Sequence, residues 1–147
     1  MRLLILCLFA HAWLALAVPS PWWTPDLTMV GLVLSVSRRP ERWLPLSLLA
    51  GLFAMAWAVR LAGPVFLSCL AVGAGVRLWT RHWDADDPRV ELLLVGAACL
   101  LMLAGSFWFG GVWSFRLAGW GLVQTAVTCA ALPLVRAMAG AAEGRRT

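Results

Sequence analysis

Few residues in this chain carry groups that could do chemistry. Three aspartates, Asp84, Asp86 and Asp87, crowd one short stretch flanked by Arg77, Arg81, His82 and Arg89. Carboxylates this close can hold a divalent cation through oxygen. The stretch lacks the ligand spacing of a calcium loop, and Asp87-Pro88 has the form of an N-cap followed by a first-turn proline. A helix start is expected there, and no metal. Four cysteines, Cys7, Cys69, Cys99 and Cys129, lie singly within apolar runs. A zinc site needs ligands at short spacing, usually with histidine, so these read as small buried residues. His11 is the ionisable group expected at membrane depth. It has no obvious carboxylate partner, and an interhelical hydrogen bond is expected of it. Gln124, Thr125 and Thr128 fall close together on one helix and read as groups that join neighbouring helices. The sequence holds no Ser/His/Asp arrangement, no facing carboxylate pair and no Gly-rich phosphate loop. These residues point away from an enzyme and call for no cofactor.

The elements that must position these groups are apolar. The chain has 147 residues, of which 62% are hydrophobic and 13% charged. A soluble domain is about 45–50% apolar and about 25% charged. With so few charges it would expose large apolar patches to water, whereas lipid accepts such a surface. The net charge of +5 comes from arginines clustered between apolar runs. That pattern fits positive loops beside a membrane and argues against a nucleic-acid-binding face.

Six apolar segments follow one another. Leu3 to Val18 is a first transmembrane helix or a signal peptide, since Ala15-Leu16-Ala17 fits a small-x-small cleavage site. The retained helix is the favoured reading. After Pro19-Ser20-Pro21, Thr24 reads as an N-cap, Pro25 as the first helical residue and Asp26 as a first-turn acid that the helix dipole favours. The second helix, Pro25 to about Ser37, covers roughly 20 Å, short of a full hydrocarbon core. The third, Trp43 to about Leu61, holds the uncharged run Trp43–Val59 between Arg42 and Arg60. The fourth runs from Pro64 to about Trp79, the fifth from about Pro88 to Trp108, and the sixth from about Ser114 to Met138. Ala50, Ala54 and Ala58, beside Gly51, form a small-residue row on the third helix, and Ala71 and Gly75 form one on the fourth. Such rows let membrane helices approach closely. The expected architecture is all-α, a polytopic membrane bundle of about six transmembrane helices. It forms one domain over residues 1–139, with a short basic tail over 140–147.

Six spans place both termini on one side. Arg2, Arg38, Arg39, Arg42, Arg77, Arg81, Arg89, Arg136, Arg145 and Arg146 fall on that side, and Arg60 and Arg116 on the other. The positive-inside rule then puts both termini in the cytoplasm. Trp22, Trp23, Trp108 and Trp113 mark the outer interface; Trp43, Trp79 and Trp83 mark the inner one.

Taken together, Pro25-Asp26-Leu27 opening the second helix, Gly51-Leu52 in the third, Leu61-Ala62-Gly63 before the fourth, the basic end of that helix, and Gln124 through Pro133-Leu134 in the last resemble the rod shape-determining protein MreD family. The resemblance runs from Pro25 to Met138. The family often carries an aspartate four residues after the glycine of the Gly-Leu motif, and here that position is Met55. The resemblance implies a non-catalytic subunit of the bacterial cell-elongation machinery in the inner membrane. It would work with MreC, MreB and the RodA–penicillin-binding-protein synthase during lateral peptidoglycan synthesis. It also implies a fold similar to the substrate-binding subunits of energy-coupling-factor transporters. The small-residue faces are expected to dock a partner's transmembrane helix, and the arginine-rich loops to meet anionic lipid. The rival expectation is a small-molecule uptake subunit of that similar fold, with a polar pocket between helices near the outer side.

Overall fold

The structure is a computed structural model that describes residues 1–18, 23–57, 61–82, 87–111 and 114–144, with only the backbone of residues 57 and 141–144. Among these residues the chain is all-α. The helices are α1 (Arg2–Ala17), α2 (Leu27–Arg38), α3 (Trp43–Trp57), α4 (Ala62–Trp79), α5 (Pro88–Gly110) and α6 (Phe115–Gly144), with a 3-10 turn at Pro40–Arg42. Three are long and apolar enough to cross a membrane: α4, α5 and the Phe115–Gly140 part of α6. α1 and α2 are shorter apolar helices. The outward faces are rich in large apolar side chains, among them Phe9, Trp13 and Leu16 on α1, Trp108 and Phe109 on α5, and Leu134 on α6. A surface of this kind belongs in lipid. These features fit a multi-pass membrane protein.

The short helix α2 is the centre of the bundle. Every residue from Leu27 to Ser37 is buried, and α1, α3, α4, α5 and α6 all pack on it. A helix apolar on every side is stable only when surrounded, and α2 is surrounded by protein.

Consecutive helices run antiparallel, and small residues set their separations. A Cβ at Gly31 of α2 would lie 2.6 Å from Cys7 Cβ of α1. On α3 and α4 three pairs share one register. The Arg77 guanidinium lies 5.5 Å from the Trp43 ring centroid, Gly73 faces Ser47, and Gly51 faces Phe66 and Cys69. The α4–α5 pair brings Gly105 to Ser68 and Gly110 to Leu61. In the α5–α6 pair, Gly121 receives Leu103, and Glu91 forms an ion pair with Arg136 at 3.1 Å.

This alternation gathers Arg2, Arg38, Arg39, Arg42, Arg77, Arg81, Arg89 and Arg136 toward one end of the bundle and leaves Arg116 at the other. Arg60, Arg145 and Arg146 lie outside the described residues, as do the tryptophans Trp22, Trp83 and Trp113. α6 continues to Gly144, further than the expected end near Met138. Its Pro133 sits within the helix on an exposed face.

Candidate functional site

The site starts from a helix cap. The sequence places Thr24 at the cap and Asp26 in the first turn; in the structure Asp26 is itself the N-cap of α2. Its Oδ1 accepts from the Met29 backbone N–H at 3.2 Å. Aspartate does this well because its short side chain reaches the third N–H of the first turn. Pro25 therefore precedes the cap, and Thr24 is buried one residue further out.

Position along the bundle matters more than the cap. The Asp26 backbone N–H donates to Thr128 Oγ1 on α6 at 2.9 Å. Thr128 stands 13 residues after Phe115, the start of α6, a climb of about 20 Å. Asp26 thus lies near mid-bundle, because α2 is only 12 residues long and starts partway through. In a membrane-spanning bundle, an acid at that height stands within the hydrocarbon layer. In membrane proteins such groups are costly and concentrate at sites of function.

A cavity of about 620 Å³ opens between α5 and α6 on the side of Asp26 away from the arginine-rich end. Asp26, Cys99, Met102 and Gln124 line its deep part. Ser106, Leu103, Gly121 and Thr125 line the middle, and Leu61, Phe109, Gly110 and Leu117 the part nearest the helix ends. This volume falls in the range of small-molecule sites, which are mostly apolar with a few polar groups. A second cavity of about 80 Å³ lies behind it, lined by His11, Asp26, Thr28, Met29, Ala54 and others. Asp26 faces both. The sequence offers His11 no carboxylate at membrane depth; the structure supplies one on the same cavity, since the α2 N-terminus lies deep and not at the interface. His11 Nδ1 is buried and has no hydrogen-bond partner among the described residues.

The expected polar cluster on α6 divides its work. Thr128 joins α6 to α2, while Gln124 and Thr125 line the large cavity. Asp87 caps α5, accepting from the Arg89 N–H at 2.8 Å, with Pro88 as the first helical residue, as the Asp-Pro pattern suggests. Asp84 and Asp86 lie outside the described residues. The four cysteines are free thiols, and among the described residues no three His, Cys, Asp or Glu side chains converge.

The small-residue rows point in different directions. Ala50 is fully buried and Ala54 packs against the core, lining the small cavity beside Thr28 and Met29 of α2. That row therefore faces inward. Ala58 lies outside the described residues. Ala71 and Gly75 on α4 are exposed, with open space where a Gly75 side chain would stand. Close packing of α4 on α3 uses the neighbouring Cys69–Gly73 row instead. Of the positions that carry the resemblance, Asp26 and Gln124 line the large cavity, and Pro25 directly precedes Asp26. Gly51 is buried against Phe66, whereas Leu52, Gly63 and Pro133 are exposed.

Two features have little signature in the sequence. Glu91 is buried against Arg136, which comes from a helix turn 45 residues later. Trp23 packs edge-on against Trp120, with ring centroids 6.2 Å apart and planes at 70°. This ties the segment before α2 to α6. A first-turn acid beside an otherwise apolar α5 was the available hint for Glu91.

No family model matches the chain, and no curated protein or solved structure matches it either.

Proposed function

We propose that this protein is a non-catalytic membrane subunit of the bacterial cell-elongation machinery, of the MreD type. It would dock partner membrane proteins during lateral peptidoglycan synthesis. One observation carries the reading. Pro25-Asp26 and the Gln124–Thr128 segment, far apart in sequence and both among the residues that resemble the family, meet in the bundle: Asp26 bonds to Thr128 and shares a cavity with Gln124. A motif spread along the chain that converges in space behaves as one unit. Met55, where the family often has an aspartate, is half-buried on α3, so in this reading the unit functions without that acid.

The partners in this reading are MreC, MreB, the RodA–penicillin-binding-protein synthase and membrane lipid. Because the Ala50–Ala54 row is used inside the chain, contact with a partner helix falls to Ala71 and Gly75. The arginine-rich end faces the cytoplasm by the positive-inside rule, which makes the protein a multi-pass inner-membrane subunit with both termini inside. Replacing Ala71 and Gly75 together with leucine is expected to reduce MreC recovery at least fivefold at equal membrane levels. Full recovery would refute that face. Depletion in a rod-shaped host is the test of function, and cells that kept their shape would refute the proposal.

The large cavity favours a second reading, the substrate-binding subunit of a small-molecule transporter with a fold like the energy-coupling-factor subunits. Loss of solute uptake on deletion, with cell shape unchanged, would decide for it.

A further inference from the structure

The geometry points to a binding site for an ammonium-bearing amphiphile in the cavity between α5 and α6, with the Asp26 carboxylate as its counter-charge. The inference rests on the cavity itself and holds under either reading of function.

Hydrogen-bond capacity sets the chemistry. A hydroxyl has one proton to give and two lone pairs. Ser106 donates its proton to the Met102 carbonyl at 2.8 Å, and Thr125 donates its own to the Gly121 carbonyl at 2.9 Å. Toward the cavity both hydroxyls therefore act as acceptors. Asp26 is an acceptor too, with Oδ1 engaged by Met29 and Oδ2 left over among the described residues. The Gln124 amide supplies the cavity's side-chain N–H donors. A ligand that fits must bring donors of its own.

Charge sets the sign. The N-terminus of α2 carries a dipole equivalent of roughly +0.5 charge, which alone would favour an anion. The Asp26 carboxylate, a full unit charge when ionised, outweighs that fraction. Most of the donors at this helix start are also engaged: Asp26 N–H bonds to Thr128 Oγ1, Leu27 N–H to the Pro25 carbonyl, Met29 N–H to the carboxylate, and Val30 N–H to the Asp26 carbonyl. Among the described residues no cation pairs with Asp26. A carboxylate ligand would meet repulsion, whereas a primary ammonium would meet an anion and a ring of lone pairs. Met102, Leu103 and Leu117 then offer apolar wall for a hydrocarbon body.

Two sources carry this chemistry: a free aliphatic amine and a lipid with an ethanolamine headgroup. The test uses the full chain in phosphatidylcholine nanodiscs, whose headgroup nitrogen has no N–H. Binding of dodecylammonium and of dodecanoate is measured by calorimetry. Dodecylammonium is expected to bind at least tenfold tighter. Asp26→Asn, which keeps a good cap, is expected to abolish that preference. The double variant Ser106→Ala/Thr125→Val retains the charge and is expected to weaken dodecylammonium at least threefold, so it decides the matter should Asp26→Asn misfold. Exchanging the lipid for phosphatidylethanolamine identifies the source. Competition with dodecylammonium marks the headgroup as the occupant, and unchanged binding marks the free amine. Equal binding of dodecanoate, or unaltered binding by the folded variants, would overturn the assignment.

Discussion

The backbone N–H of Asp26 is held by the side-chain oxygen of Thr128 at 2.9 Å, across 102 positions of sequence. Thr128 is fully buried and passes its own proton to the Gln124 carbonyl at 2.8 Å. Its hydroxyl thus satisfies two requirements at once, and the start of the central helix is pinned to the last helix of the bundle.

Thr128→Val keeps the shape and removes the acceptor. A buried N–H left without a partner costs about 1–3 kcal/mol. Thermal unfolding in detergent is expected to show a loss of that size, and Thr128→Ser is expected to recover most of it. A valine variant as stable as the parent would show that water or a rearranged neighbour replaces the bond.

The Glu91–Arg136 pair predicts an asymmetry between single and double variants. Glu91 is almost wholly buried, whereas Arg136 is partly exposed. Removing one partner of a buried pair costs about 3–5 kcal/mol, while replacing both with apolar residues is often neutral. The partial exposure of Arg136 puts the expectation at the lower end. Arg136→Met is expected to destabilise α5–α6 packing, and Glu91→Leu/Arg136→Met to restore it. A double-mutant cycle with additive losses would argue against coupling.

Two glycines on α4, one half-turn apart, are expected to respond with opposite sign. Gly73 lies against Ser47, with no room for a methyl group, while Gly75 faces open space. Gly73→Ala overpacks the α3–α4 contact, at about 1–3 kcal/mol. Gly75→Ala is expected to be neutral or to stabilise by up to about 1 kcal/mol, the usual gain of alanine over glycine in a helix. Unfolding midpoints in detergent would separate them, and equal effects would contradict the register set by Trp43–Arg77 and Gly51–Cys69.

Helix number, order and approximate ends are legible in the sequence because charge and proline interrupt the apolar runs. Asp87-Pro88 shows its cap directly. Which helix is central is not legible. In water the buried face of a helix is the apolar one, but in lipid both faces are apolar, so the periodic signal that sorts inside from outside weakens. The Trp43–Val59 run is uncharged and strongly apolar, yet α2, with Thr28, Ser35 and Ser37, is the one enclosed. The same ambiguity misdirects the small-residue rows: Ala71–Gly75 and Cys69–Gly73 look alike as strings, and only the neighbour across the interface chooses between them. Asp26 was readable as a helix-start acid. Its depth was not, since depth follows from where a short helix begins within a longer bundle.

The enclosure of α2 also bears on how the protein is made. Twelve residues cover about 18 Å of a roughly 30 Å hydrocarbon layer, and the segment carries hydroxyls and an acid at its head. Delivered alone from the ribosome to the insertion machinery, it has too little apolar length to partition into lipid. It is expected to need α1 or α3 beside it when it leaves the lateral gate, so that early biogenesis would proceed by helix pairs, not single spans. Nascent chains truncated soon after Arg42 are expected to hold α2 in the membrane only when α1 is intact. Stable integration without α1 would show that the lone segment suffices.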